Sequence, residues 1–197
     1  MKEAAKGGAE EYSPEAAVLA YIRSLFMESD RGFVLLAFER VDELLKDLHI
    51  RHIHAVSRPS NKLVSELFGW PGPVSSPSAR IKLAFAYGLM SQDEFANLEF
   101  VREIRNKAAH SRQDFGFGFS FIQELVSKLE APLRIPPELQ AQLSESKRSA
   151  LQNPSKDENT TKMYFLLTVE CLASAILILT LETLKQQQQN RLSGEGV

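Results

Sequence analysis

Val18, Leu19, Ile22, Leu25 and Phe26 recur at helical spacing behind Ser13-Pro14, an N-cap followed by proline at the first helical position. They predict a first helix ending near Ser29. Phe33, Val34, Ala37, Phe38, Val41, Leu44, Leu45 and Leu48 then fall on one face at about 100° per residue, and Glu39, Asp42, Glu43, Lys46 and Asp47 fill the remainder. That is a second helix, capped by Asp30 and ending near Ile50 to Ile53. A short helix over Lys62 to Phe68 fits between Ser60 and Gly69. The stretch Trp70-Pro71-Gly72-Pro73-Val74-Ser75-Ser76-Pro77-Ser78 is too rich in proline for regular structure and reads as a linker. Ser78 is expected to cap a helix from Ala79 to Met90, which is apolar on nearly every side and therefore expected at the centre of the fold.

Ser91-Gln92-Asp93-Glu94 has the pattern of a capping box and opens a helix from Gln92 to about His110. Asp114 to Phe119 forms a loop, and Ser120 is expected to cap a helix over Phe121 to Leu129 that stops before Pro132. Residues 133–159 are polar and carry prolines, with one helical turn expected after Pro137. A last helix is predicted from about Thr160 to Gln187. No alternating strand pattern of useful length occurs, and no internal repeat. The fold class is all-α, a single bundle of about six to seven helices over residues 13–187, between tails at 1–12 and 188–197 expected to be disordered.

Composition narrows the chemistry. The chain has 197 residues, 44% hydrophobic and 24% charged, enough for one ordinary globular core. Its 23 Lys+Arg against 25 Asp+Glu exclude a strongly basic nucleic-acid coat protein, though not a local basic patch. A single cysteine, Cys171, excludes an intrachain disulfide and a multi-cysteine zinc site and suits a reducing cytoplasm. The start lacks the apolar stretch of a secretory signal. The one long apolar run, Met163 to Leu181, is interrupted by Glu170, so a buried core helix is expected there and no membrane span.

The helix from Gln92 to His110 carries the candidate site. On a helical wheel Leu98, Val101, Ile104, Ala108 and Ala109 define the apolar arc, and Arg105 lies inside it. A guanidinium aimed into a core needs a carboxylate or several carbonyls for its five donors. Asp30, at the start of the second helix and in line with its apolar arc, is the expected partner; Asp42 and Glu43 flank that arc. The alternative role for Arg105 is only to tie helices together. Asn106 and His110 share a face beside Arg105, and Arg102 lies on the stripe of Asn106. His110 is a candidate general base, a cation for phosphate, or a partner of the helix dipole.

Three segments carry a resemblance: Glu28-Ser29-Asp30-Arg31-Gly32, Ser78-Ala79-Arg80-Ile81-Lys82-Leu83-Ala84-Phe85-Ala86-Tyr87-Gly88-Leu89-Met90-Ser91, and Ile104-Arg105-Asn106-Lys107-Ala108-Ala109-His110-Ser111. In order and spacing they resemble the mannitol operon repressor (MtlR) family across roughly residues 20–180. The resemblance implies a helical, non-enzymatic transcriptional regulator in bacteria, without a recognisable helix-turn-helix, linked to control of mannitol uptake and use. Such a repressor would act on DNA or through a DNA-bound protein, and apolar surface on the last helix would serve a homodimer. A second resemblance is to HEPN helical domains, through the Arg-x4-His pattern of Arg105 and His110. It implies an alternative, a metal-independent ribonuclease or RNA-binding domain. There the arginine would stabilise a charged phosphorane and the imidazole would move protons.

Other candidates are weaker. His49, His52 and His54 are expected at a solvated helix end rather than in a metal site. With Arg51, Arg58 and Lys62 they form the most basic stretch of the chain. Asp114-Phe115-Gly116 lacks every supporting kinase element. The aromatics at 115, 117, 119 and 121 are expected to pack the loop against the bundle, with base stacking as the alternative. Cys171 is expected to be buried and unreactive. No cofactor and no metal are implied, and no helix supplies the exposed row of base-reading side chains in a positive field that direct DNA recognition needs.

Overall fold

A computed structural model describes residues 14–192 apart from 113, 131–149, 151 and 155, and only the backbone of 14–19, 187 and 190–192. The described residues form seven helices and no strand: α1 (Pro14–Phe26), α2 (Asp30–Val56), α3 (Asn61–Phe68), α4 (Pro77–Ala86), α5 (Gln92–His110), α6 (Ser120–Ser127) and α7 (Glu158–Leu192). The turn expected after Pro137 and the tail at 1–12 lie outside the described residues; of the tail expected at 188–197, residues 188–192 instead continue α7, and 193–197 lie outside the described residues.

The axis of the bundle is the pair α2 and α7, which share the most extensive helix–helix contact. Phe33, Val34, Phe38, Val41, Leu45 and Leu48 of α2 are buried with Phe165, Val169, Leu172 and Ile176 of α7. α5 closes one side with Leu98, Val101, Ile104 and Ala108, and Phe117 from the loop before α6 seats its ring 5.8 Å from Phe33 and 5.6 Å from Phe165. The loop aromatics therefore divide: Phe117 is core, Phe115 is half-buried, and Phe119 and Phe121 are exposed.

α4 is not central. It buries only Arg80, Ile81 and Ala84, while Phe85 and the following Tyr87 are exposed. A ten-residue helix that is apolar all round can still lie at the edge, because α2 and α7 are longer and present continuous apolar stripes. It also stops earlier than expected. Gly88, at φ +68°, reverses the chain, and the amides of Gly88 and Leu89 return to the carbonyls of Phe85 and Ala84, both at 2.9 Å.

Several caps sit one or two residues from their expected places. Ser29 rather than Asp30 caps α2, accepting from the Gly32 amide at 3.2 Å, and Ser76 rather than Ser78 caps α4, so Pro77 enters the first turn, where it loses no bond. α6 begins at Ser120 itself, with Phe119 in the cap position and no side-chain cap bond. α2 runs on to Val56 and α7 to Leu192. By length and composition α7 could cross a membrane, yet half of its most apolar stretch is buried inside the bundle.

Candidate functional site

Arg105 and Asp30 do not meet. Asp30, in the first turn of α2, accepts from the Lys162 ammonium at 2.7 Å through Oδ1 and from the Phe117 amide at 3.0 Å through Oδ2. Lys162 is itself enclosed, 4.7 Å from the centre of the Phe33 ring. Asp30 thus ties α2, α7 and the aromatic loop together. Arg105 is half-buried with its guanidinium 5.8 Å above the Phe38 ring, and it donates to Asn106 Oδ1 at 3.2 Å. Among the described residues no carboxylate pairs with it. A position on the rim of the apolar arc lets the long stem lie on Phe38 while the head stays partly solvated, which removes the need for a buried anion.

The neighbouring candidates are spread along α5. Arg102 is held by Glu99 one turn earlier, with bonds of 3.2 and 2.6 Å. His110 is exposed in the last turn and makes no hydrogen bond among the described residues. The end of α5 is capped from α2: Arg31 Nη1 donates to the carbonyls of Ala108 at 2.8 Å and Ser111 at 3.1 Å. That is where a cation best meets the negative end of a helix dipole. The structure therefore brings Arg105 and Asn106 together, sets Arg102 and His110 apart, and moves Asp30 to another network.

The deeply buried arginine is Arg80 on α4. Its Nε donates to Asp42 Oδ1 at 2.8 Å and its Nη2 to Oδ2, a two-pronged pair. Nη1 donates to the carbonyls of Val74 and Ser75, each at 2.9 Å. The Arg80 carbonyl in turn faces His49 Nε2 at 2.8 Å. His49 is fully buried, not at a solvated helix end, and burial holds its pKa below the ordinary histidine value. Sequence reasoning missed this network. Its signal was an arginine at the head of an otherwise apolar run, the same argument that was applied to Arg105.

At the other end of α5 a groove of about 550 Å³ opens between the α4–α5 turn and α7. Leu89, Met90, Leu172, Ala175, Ile178 and Leu179 form its apolar floor. Asp93, Glu94, Glu130 and Glu182 stand around it, and no Lys, Arg or His lines it among the described residues. Its polar side chains are largely committed elsewhere. Asn97 exchanges bonds of 2.8 and 2.9 Å with the Glu130 backbone, Thr168 donates to the Tyr164 carbonyl and Ser174 to that of Glu170. Glu94 completes the capping box with Ser91, at 2.7 Å to its amide. Cys171 also faces the groove, half-buried; burial, then the charge of Glu170, push its thiol up to about 11, so it is no thiolate at neutral pH. The groove is thus an acidic-rimmed apolar surface with few free polar groups. Its sequence signal was Asn97, a polar residue on the buried stripe of α5.

Comparison with known proteins gives the family and the fold. The sequence profile described as mannitol repressor (MtlR) matches residues 21–189. The mannitol operon repressor of Escherichia coli strain K12 is 23% identical over 122 residues, covering 62% of this chain and 63% of that repressor. The mannitol operon repressor of E. coli O6:H1 strain CFT073 matches to the same extent. The aligned stretch thus spans just under two thirds of these relatives. Among solved structures, the X-ray structure of the MtlR-HPr complex from E. coli superposes with a TM-score of 0.54 at 19% identity, over 82% of this chain and 97% of that one. At this identity the superposition shows a shared fold. The profile match takes in α2 to α6 whole and nearly all of α7, and this chain belongs to the mannitol repressor family.

Proposed function

We propose that this chain is a transcriptional regulator, a repressor of the mannitol operon type, that acts through protein–protein contact rather than by laying a reading helix on DNA. The groove carries this reading. An apolar floor ringed by four carboxylates, with no cation among the described residues, is the complement of a partner surface with apolar side chains flanked by lysine or arginine. A polyol would find few free donors or acceptors there, and the charges a sugar phosphate would meet among the described residues are negative. The solved relative is a complex of MtlR with HPr, and we take HPr as the partner to test first.

The exposed end of α5 is proposed as a second contact, toward DNA or a DNA-bound protein. There Lys107 and His110 project, with Arg102, Arg105 and Asn106 behind them and Asp30 steadying the adjacent loop. Calorimetry with purified HPr tests the main reading. The wild-type chain binds, and binding weakens with salt. Asp93→Lys with Glu182→Lys weakens it by about tenfold or more, at unchanged Tm. Absence of binding at low salt, or equal binding by the charge-reversed variant, overturns the groove assignment.

A further inference from the structure

His49 sits at a corner where α2, α3, α4 and the linker 69–76 meet. Its ring has no exposed surface. The Phe68 ring of α3 lies 6.2 Å away and the Tyr87 ring, at the end of α4, 6.4 Å away. The Arg80 carbonyl can only accept, so Nε2 carries the hydrogen and Nδ1 the lone pair. Nδ1 is buried and has no hydrogen-bond partner among the described residues. The other groups at this corner offer a second proton no home. On α2, His52 lies beside Tyr87, and both oxygens of Asp42 are held by Arg80. On α4, Arg80 brings positive charge. The charged residues of α3, Lys62 and Glu66, are exposed and face each other at 3.8 Å. The linker contributes carbonyls, those of Val74 and Ser75, already bound to Arg80.

We propose that His49 is a proton-operated latch: the closed corner admits only the neutral imidazole, and acidification releases α3 and the linker from α2 and α4 while the α5–α7 part of the bundle stays folded. The geometry sets the order of events. A proton reaches Nδ1 only when the ring swings out to water. The Arg80 carbonyl then loses its donor, and the ring seat between Phe68 and Tyr87 empties. Burial is the largest cause holding the imidazole neutral, and the charges of His52 and Arg80 act in the same direction against the Arg80 carbonyl. The opening is therefore linked to a single proton and grows as pH falls below the ordinary histidine value of 6.5.

Amide hydrogen exchange on the full chain, corrected for the chemical exchange rate, tests this. Between about pH 7.5 and 5.5 the amides of Val64, Gly69, Gly72 and Val74 lose about tenfold in protection, the limit for one proton, and those of α7 do not. In His49→Gln, which keeps a donor for the Arg80 carbonyl but cannot titrate, that loss disappears. Protection that falls equally in the variant, or falls throughout the bundle, overturns the latch. NMR of the imidazoles in the wild-type chain reads the same point without a variant. His49 stays in the Nε2–H form as long as the corner is closed; a His49 that titrates with Val64 and Val74 still protected overturns it.

Discussion

Asp42 is the one charge among the acceptors of Arg80, whose side chain is only 7% exposed. Removing that charge strands a guanidinium in the interior. Asp42→Ala is expected to cost about 3–5 kcal/mol, the usual loss when one member of a buried pair is deleted, read from the midpoint of urea unfolding. A loss within the surface range of about 0.5 kcal/mol would show that water reaches Arg80. Glu170 presents the opposite case. One of its oxygens is buried with no hydrogen-bond partner among the described residues, the other lies 3.8 Å from Arg40, and burial raises its pKa above the ordinary 4.5. A raised carboxyl binds more protons when folded, so the fold gives up stability as pH rises through that pKa. Glu170→Gln is therefore expected to raise Tm at pH 7, with the gain fading as pH falls toward 4.5; a gain that is flat with pH would assign the effect to packing alone. Neither residue's role was legible in the chain. The arithmetic of a helical wheel places Arg80 and Arg105 equally well, but which guanidinium is buried depends on what α2 sets opposite it: Asp42 for one, the flat face of Phe38 for the other.

At the scale of elements, the strongest local signal was the capping box. Ser91 accepts from the Glu94 amide, and Glu94 returns to the Ser91 amide, so two orphan donors of α5 are satisfied at once. Ser91→Ala is expected to cost about 1 kcal/mol, roughly 2–4 °C in Tm for a chain of this size. The Ser91 amide still holds Glu94 Oε2 in that variant, at 2.7 Å, so the charge around the groove stays in place and the loss is confined to Tm; an unchanged Tm would show that the amide bond alone caps the helix. α5 begins where Ser91 predicts, because a cap and the first turn are settled within four residues, and α3 begins at Asn61, one residue before the expected Lys62, with Ser60 as its cap. The caps of α2 and α4 were displaced for a local reason too. At each site two polar residues compete, and Asp30 in α2 and Pro77 in α4 fit best just inside the helix, which leaves the cap to the serine before them. The role of α4 as a flanking helix was not local. Its apolar run says that it is covered, and only the lengths of α2 and α7 say by how much.

For the whole molecule, the arrangement bears on whether the Arg-x4-His pair does chemistry. Arg105 is engaged by Asn106 and Phe38, and His110 is exposed at the helix end with no hydrogen bond among the described residues. Labelled RNA incubated with the purified chain is expected to stay intact, and His110→Ala to make no difference; cleavage that the variant abolishes would instead establish the ribonuclease reading. The chain by itself determined the helical class, the order of the helices and the order of the family's three segments, because periodicity, caps and breakers act over a few residues. Only the tertiary structure decided that Asp30 serves Lys162, that Asp42 serves Arg80, that His49 is sealed, and that the acidic groove forms between α5 and α7. Each of those joins residues far apart along the chain. Such pairings depend on the register and tilt of whole helices, which are set by packing the core and carry no mark in the local pattern.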